Sequence, residues 1–74
     1  MKREDITAQI GQNIKFHRKK KKKTQLEVAV AVGVSRSVYA RYESGVIEIP
    51  VTTFALICSF LDISPDAVLK GVTL

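Results

Sequence analysis

Apolar residues recur along this chain at helical spacing, and nowhere do they alternate convincingly with a period of two. Ile6, Ile10, Ile14 and His17 stand four, four and three positions apart, which aligns them on one face of a helix from Asp5 to about Lys21. Asp5 is placed to cap or charge its start, and the lysines suit the negative end of its dipole. Thr24 and Glu27 have the T-x-x-E spacing of a capping box and open a second helix. Val28, Ala29 and Val32 mark its inward face, and Gly33 ends it where a left-handed backbone is cheap. Ser35 caps a third helix, with apolar contacts from Val38, Tyr39 and Tyr42 and an end at Ser44-Gly45. Val46–Pro50 reads as a loop. A fourth helix is predicted from about Val51 to Leu61, with Phe54, Ile57, Cys58 and Leu61 facing inward. Ser64-Pro65-Asp66 then starts a short helix by cap plus first-turn proline, reaching about Lys70 before Gly71. The pattern predicts an all-α fold of five short helices, one domain over residues 1–74.

Length limits how this fold can be stabilised. A chain of 74 residues buries only about 60% of the surface it exposes when unfolded, so its core is minimal. With three Phe, two Tyr and no Trp, much of the packing falls to aliphatic side chains. Small folds without staples are usually helical bundles or need a partner subunit. Cys58 is the one cysteine and cannot form an internal disulfide; one His and one Cys cannot build a structural zinc site. A metal-free fold in a reducing compartment is expected, with no cofactor. No run approaches the roughly 18 apolar residues of a membrane helix. The opening MKREDITAQ lacks a signal-peptide core, so the expected location is cytoplasmic.

Twelve basic residues against seven acidic ones give a net charge of +5. That balance favours an anionic partner without choosing between nucleic acid and a phospholipid surface. Its distribution is uneven: Lys15, Arg18 and the run Lys19–Lys23 hold seven of the twelve, and the rest of the chain is close to neutral. The lysine run reads both as a solvated, self-repelling helix end that frays and as a strip for DNA phosphates.

The informative stretch is Gln25–Glu43, QLEVAVAVGVSRSVYARYE. Two short helices are joined by a tight turn at Gly33-Val34-Ser35. Ala29 stands where the helices cross closely, so a side chain larger than methyl would push them apart. Val28, Val32, Val34, Tyr39 and Tyr42 are spaced to form one apolar wedge, and no proline interrupts either helix. Taken alone, this pattern also fits an ordinary αα-hairpin in a small bundle.

Between Ile10 and Gly71 the chain resembles the Cro/CI-type (Xre-type) helix-turn-helix regulators of bacteria and their phages. The resemblance is carried by Arg18, T-Q at Thr24-Gln25, V-A at Val28-Ala29, G-V-S at Gly33–Ser35, Y-E-S-G at Tyr42–Gly45, Ile49-Pro50 and the closing S-P-D-A-V-L-K-G. It implies a lambda-repressor-like DNA-binding domain with its helix-turn-helix at 25–44. It further implies that Arg36, Ser37, Ala40 and Arg41 face base edges in the major groove. Arginine can pair bidentately with guanine for about 1–3 kcal/mol of discrimination. Gln25 and the amides around Ser44 and Gly45 match phosphate contacts, and Thr24, Ser35, Lys20 and Lys22 are placed to join them. Arg18 and Glu43 match an ion pair tying the first helix to the end of the recognition helix. The chain departs from the family pattern at Leu26 and Val30, positions that are usually charged or polar, at Cys58, where alanine is usual, and in the uniformly basic Lys19–Lys23.

The expectation is a regulator, either repressor or autoregulator, that binds a pseudo-palindromic double-stranded DNA operator as a homodimer. The last two helices and the tail, through Phe60, Val72 and Leu74, are the expected dimer surface. No membrane or small-molecule partner is expected, and His17 reads as padding at the core edge. The alternative is an antitoxin-like or adaptor module that docks a protein through Leu26 and Val30. An enzyme is not expected: no residue pair has nucleophile-and-base spacing, and the core leaves no room for a pocket.

Overall fold

A computed structural model describes residues 2–74. Five helices follow one another: α1 (Arg3–Lys20), α2 (Gln25–Val32), α3 (Arg36–Ser44), α4 (Val51–Leu61) and α5 (Pro65–Leu69). There is no strand among the described residues. The predicted five-helix fold is therefore the observed one, with differences at the ends. α1 begins at Arg3, so Asp5 lies inside its first turn beside Glu4, and Lys2 at the N-cap makes no side-chain cap. Asp5 charges the helix start without capping it. Thr24, Ser35 and Ser64 do cap: each hydroxyl accepts a backbone N–H three residues on, and Glu27 completes the capping box by accepting from the Thr24 amide.

The carboxyl ends of α1 to α4 close in one way. A left-handed residue follows the helix and two amides turn back onto its last carbonyls, as in the Schellman motif. Gly33 and Gly45 do this at φ 77 after α2 and α3. Lys22 (φ 59) and Asp62 (φ 53) do it after α1 and α4, although neither is glycine. At α1 the Lys23 amide donates to Arg18 O at 3.1 Å and the Lys22 amide to Lys19 O at 3.0 Å. The end of α1 within the lysine run is thus a hydrogen-bonded turn, with the Lys21, Lys22 and Lys23 amides all paired.

The core gathers Ile14 from α1, Val28 and Ala29 from α2, Tyr39 from α3, Ile57 from α4 and Val68 from α5, each fully buried. α3 packs on α1 and α2, α4 on α2, and α5 on α1. Ala29 has no exposed surface, as a close crossing requires. Val34 and Phe54 pack half-buried at the core margin, as His17 does at its own edge, where it meets the Phe16 ring edge-on. Burial pushes the Cys58 thiol above its ordinary range. Two residues unremarked in the pattern join distant parts of the chain. Gly11 faces the end of α3, where a Cβ would meet the carbonyl oxygens of Tyr42 and Glu43, the latter at 2.6 Å. Asn13 Nδ2 donates to Val68 O at 2.6 Å and holds α5 on α1.

One polar network is sealed inside. Arg18 grips the Glu43 carboxylate with Nε (2.6 Å) and Nη2 (3.0 Å) and donates through Nη1 to Lys23 O at 2.8 Å. Tyr39 Oη donates to the same carboxylate at 2.5 Å and Gln25 Nε2 at 3.1 Å. Among the described residues no buried side-chain polar atom lacks a partner. Burial pushes the Glu43 carboxyl up, but the hydrogen bonds from Arg18, Tyr39 and Gln25 outweigh it and hold it below its ordinary value. Arg18 is held correspondingly up by its hydrogen bonds to Glu43, against the opposing effect of burial. Burial and the donated bond to Glu43 push Tyr39 far up, so it stays a neutral donor.

Two outcomes follow from this packing. Gly11→Ala, monitored by thermal unfolding, is expected to lose about 2 kcal/mol or more, because neither helix backbone can retreat without opening the core. An unchanged melting temperature would show that the α1–α3 approach is not held. For Glu43 the folded-state carboxyl lies below the unfolded one. Its stabilisation is therefore complete above about pH 4.3, the unfolded value, and drains away as pH falls through the folded value. Urea midpoints measured from pH 7 downward should show that loss in the wild type and a smaller one in Glu43→Gln. At pH 7 the variant should lie about 3–5 kcal/mol below the wild type, since it leaves Arg18 charged and unpaired.

Candidate nucleic-acid interface

α3 divides its residues cleanly. Tyr39, Tyr42 and Glu43 are buried, while Arg36, Ser37 and Arg41 are exposed to solvent with half-buried Ala40 between them. The 3.6-residue period accounts for part of this division, since Ser37, Ala40 and Arg41 share one side and Tyr39, Tyr42 and Glu43 another, whereas Arg36 stands seven residues before Glu43, nearly in line with it, and is exposed at the opposite end of the helix. Of the four residues assigned to base edges, three thus lie together and Arg36 stands at the helix start. Arg36 and Arg41 make no salt bridge among the described residues. α3 carries no acidic residue in its first turn and begins with Arg36. A cation at the positive end of a helix dipole runs against local electrostatics. An incoming anion reverses that penalty, and such a conflict between local preference and fold marks functional positions.

Backbone donors reinforce the face. In α2 and α3 the third amide is capped by Thr24 or Ser35. The amides of Gln25 and Leu26, and of Arg36 and Ser37, have no acceptor within their helices and point ahead of the helix starts. These four donors were absent from the sequence expectations, although the two caps already implied them.

The assigned phosphate contacts stand in different states. Thr24 and Ser35 accept through their hydroxyl oxygens, which leaves each hydroxyl proton available to an oxyanion. Gln25 uses one amide hydrogen on Glu43 and keeps a second. The amides expected around Ser44 and Gly45 are already spent, since Gly45 N donates to Tyr42 O at 3.2 Å and Val46 N to Arg41 O at 3.1 Å, and the Ser44 hydroxyl, which donates to Arg41 O at 3.2 Å, must rotate before it can serve a phosphate. Lys20, the last residue of α1, and Lys22, in the turn after it, are both exposed. Glu27 is an exposed acid here, and its carboxyl is held below the ordinary range by the Thr24 amide and hydroxyl. Glu43, the other motif acid, is neutralised inside by Arg18.

The remaining expected positions fall elsewhere. Leu26 and Val30 are exposed, at 54% and 72%. Phe60 stands beside them on a shallow surface flanked by Lys23, whose Nζ lies 5.6 Å from the Phe60 ring centre. Val72 is half-buried and Leu74 exposed, and the Thr73 amide donates to Gln9 on α1. Phe60 thus borders α2, and the tail is tied to α1.

No curated protein matches the chain. A helix-turn-helix family model does match, over residues 14–68, from the buried Ile14 of α1 to the buried Val68 of α5. That span contains the capped α2, the Gly33 turn, the outward arginines of α3 and the Arg18–Glu43 pair. By fold and by this match the chain belongs to the Cro/C1-type (Xre) helix-turn-helix family of DNA-binding domains.

Proposed function

We propose that the chain is a sequence-specific transcriptional regulator, acting as a repressor or autoregulator, that reads a pseudo-palindromic operator as a homodimer. The observation that carries this reading is the solvent-facing set Arg36, Ser37 and Arg41, with half-buried Ala40 among them and unpaired amides at the head of the same helix. In the major groove, Arg36 and Arg41 pair with guanine edges, Ser37 with several bases, and Ala40 packs on a thymine methyl. Thr24, Gln25, Ser35, Ser44, Lys20 and Lys22 contact phosphates and set the register without reading sequence. Each domain presents one such helix, and its longest dimension is 32 Å. Two successive major-groove faces lie about 34–36 Å apart, so a second half-site calls for a second copy. The whole chain works as one domain, with its motif at 25–44.

A second reading is an adaptor that docks another protein through Leu26 and Val30. The exposure of both side chains, continuous with Phe60, favours it. The two uses are compatible, because this patch lies off the arginine face of α3.

Binding measured on a selected operator and on random DNA separates base reading from phosphate contact. Arg36→Ala should lower operator affinity by about 1–3 kcal/mol and leave random-sequence binding nearly unchanged. Equal loss on both DNAs would remove the base-reading role. The double variant Lys20→Ala, Lys22→Ala should weaken both alike and reduce the salt slope by about 1 for each phosphate no longer neutralised. An unchanged slope would place those lysines away from the phosphates.

A further inference from the structure

The face shared by α2 and α4 is apolar and uncovered. Leu26 and Val30 stand one turn apart on α2, Leu56 and Phe60 one turn apart on α4, and the two helices pack on each other. These four residues remain 54%, 72%, 46% and 38% exposed. Leu26, Val30 and Phe60 share a shallow surface with Lys23, whose Nζ lies 5.6 Å from the Phe60 ring centre. Lys23 closes the run Lys19–Lys23, no member of which makes a salt bridge among the described residues. Acids nearby are fewer. Asp62 caps α4, and Glu27, on the same shallow surface, accepts from the Thr24 amide at 2.8 Å.

We propose that this face receives an acidic amphipathic helix of another protein, with its apolar stripe on Leu26, Val30 and Phe60 and its carboxylates toward Lys23 and the lysines before it. The inference rests on the second reading above, docking through Leu26 and Val30, and names the chemistry of the partner. Shape selects a helix. Residues four apart on two packed helices form ridges, and the shallow channel between such ridges is filled by the matching ridge of a third helix. An extended peptide finds no strand edge to join among the described residues. Charge selects acidic side chains. Five unpaired lysines lead into the patch against two acids, one of them already hydrogen-bonded to a helix start. Nucleic acid would satisfy the lysines but set phosphates against Leu26 and Val30, which offer them no donor. A second copy would bring the same lysine run and its own net charge of +5 to the contact, so like charges would oppose it.

Selection from a peptide display library against the full chain tests the proposal. The library holds helix-forming peptides with a fixed leucine stripe and Glu, Gln or Lys at random elsewhere. Enriched peptides should carry more Glu than Lys and should bind Val30→Ser at least about tenfold more weakly than wild type. Circular dichroism and unchanged binding to random-sequence DNA verify that this variant is folded. Lys23→Gln should also weaken the Glu-rich peptides, and added salt should weaken their binding to wild type more than to this variant. Lys-rich or uncharged peptides that still depend on Val30, or Glu-rich ones indifferent to Lys23→Gln, overturn the acidic partner and leave the docking reading standing. A wild type that self-associates while Val30→Ser stays monomeric assigns the face to a second copy and overturns the proposal as well. A library that yields no Val30-dependent binder overturns both the acidic partner and the docking reading.

Discussion

Arg18 and Glu43 join the end of the first helix to the end of the third, and the direction in which α3 presents its arginines is set by that junction. A buried ion pair brings little net stability, because two charges must leave water to form it. Its contribution here is angular. The guanidinium fork meets the carboxylate through two parallel bonds, at 2.6 and 3.0 Å, a geometry that tolerates little rotation of either helix. Apolar contacts such as those of Tyr39 and Ile14 are non-directional and would allow α3 to roll. The remaining bonds extend the constraint: Gln25 brings the start of α2 to the same carboxylate, and Arg18 also holds Lys23 O in the turn before α2. Three helices are thereby indexed to one buried group.

The ends of the helices divide the labour. Four carboxyl ends are closed by left-handed residues that return amides to the last carbonyls, so the chain reverses direction without exposing unpaired acceptors. The amino ends of α2 and α3 are closed only at the third amide, which leaves two donors each facing outward. At the head of α3 a positive helix end, unpaired amides and the unneutralised Arg36 coincide. Each is mildly unfavourable in a protein that meets only water, and together they suit a polyanion.

Much of the candidate site was legible because its signals are local. The capping box at Thr24, the Ser35 cap, the Gly33 turn and the alternation of buried and exposed residues along α3 all arise from groups within four residues of one another. The Arg18–Glu43 pair, 25 residues apart, follows from family resemblance and not from periodicity, which carries no information about which polar residues meet. Phe60 packs toward α2 while the tail returns to α1, and apolar character alone cannot assign exposed side chains to a common face.

By itself, then, the sequence determined the number of helices, the starts of four of them, two of their stops and the face of each that is apolar, because hydrogen bonding and side-chain period act over one or two turns. Only the tertiary structure decided how closely they approach. Gly11 reads as an unremarkable helical glycine until the carbonyls of Tyr42 and Glu43 come to rest against it. Asn13 reads as a surface amide until Val68, 55 residues away, supplies its acceptor. Lys22 and Asp62 become left-handed because the neighbouring helices fix where the chain must turn, and side chains that ordinarily avoid that region accept its strain.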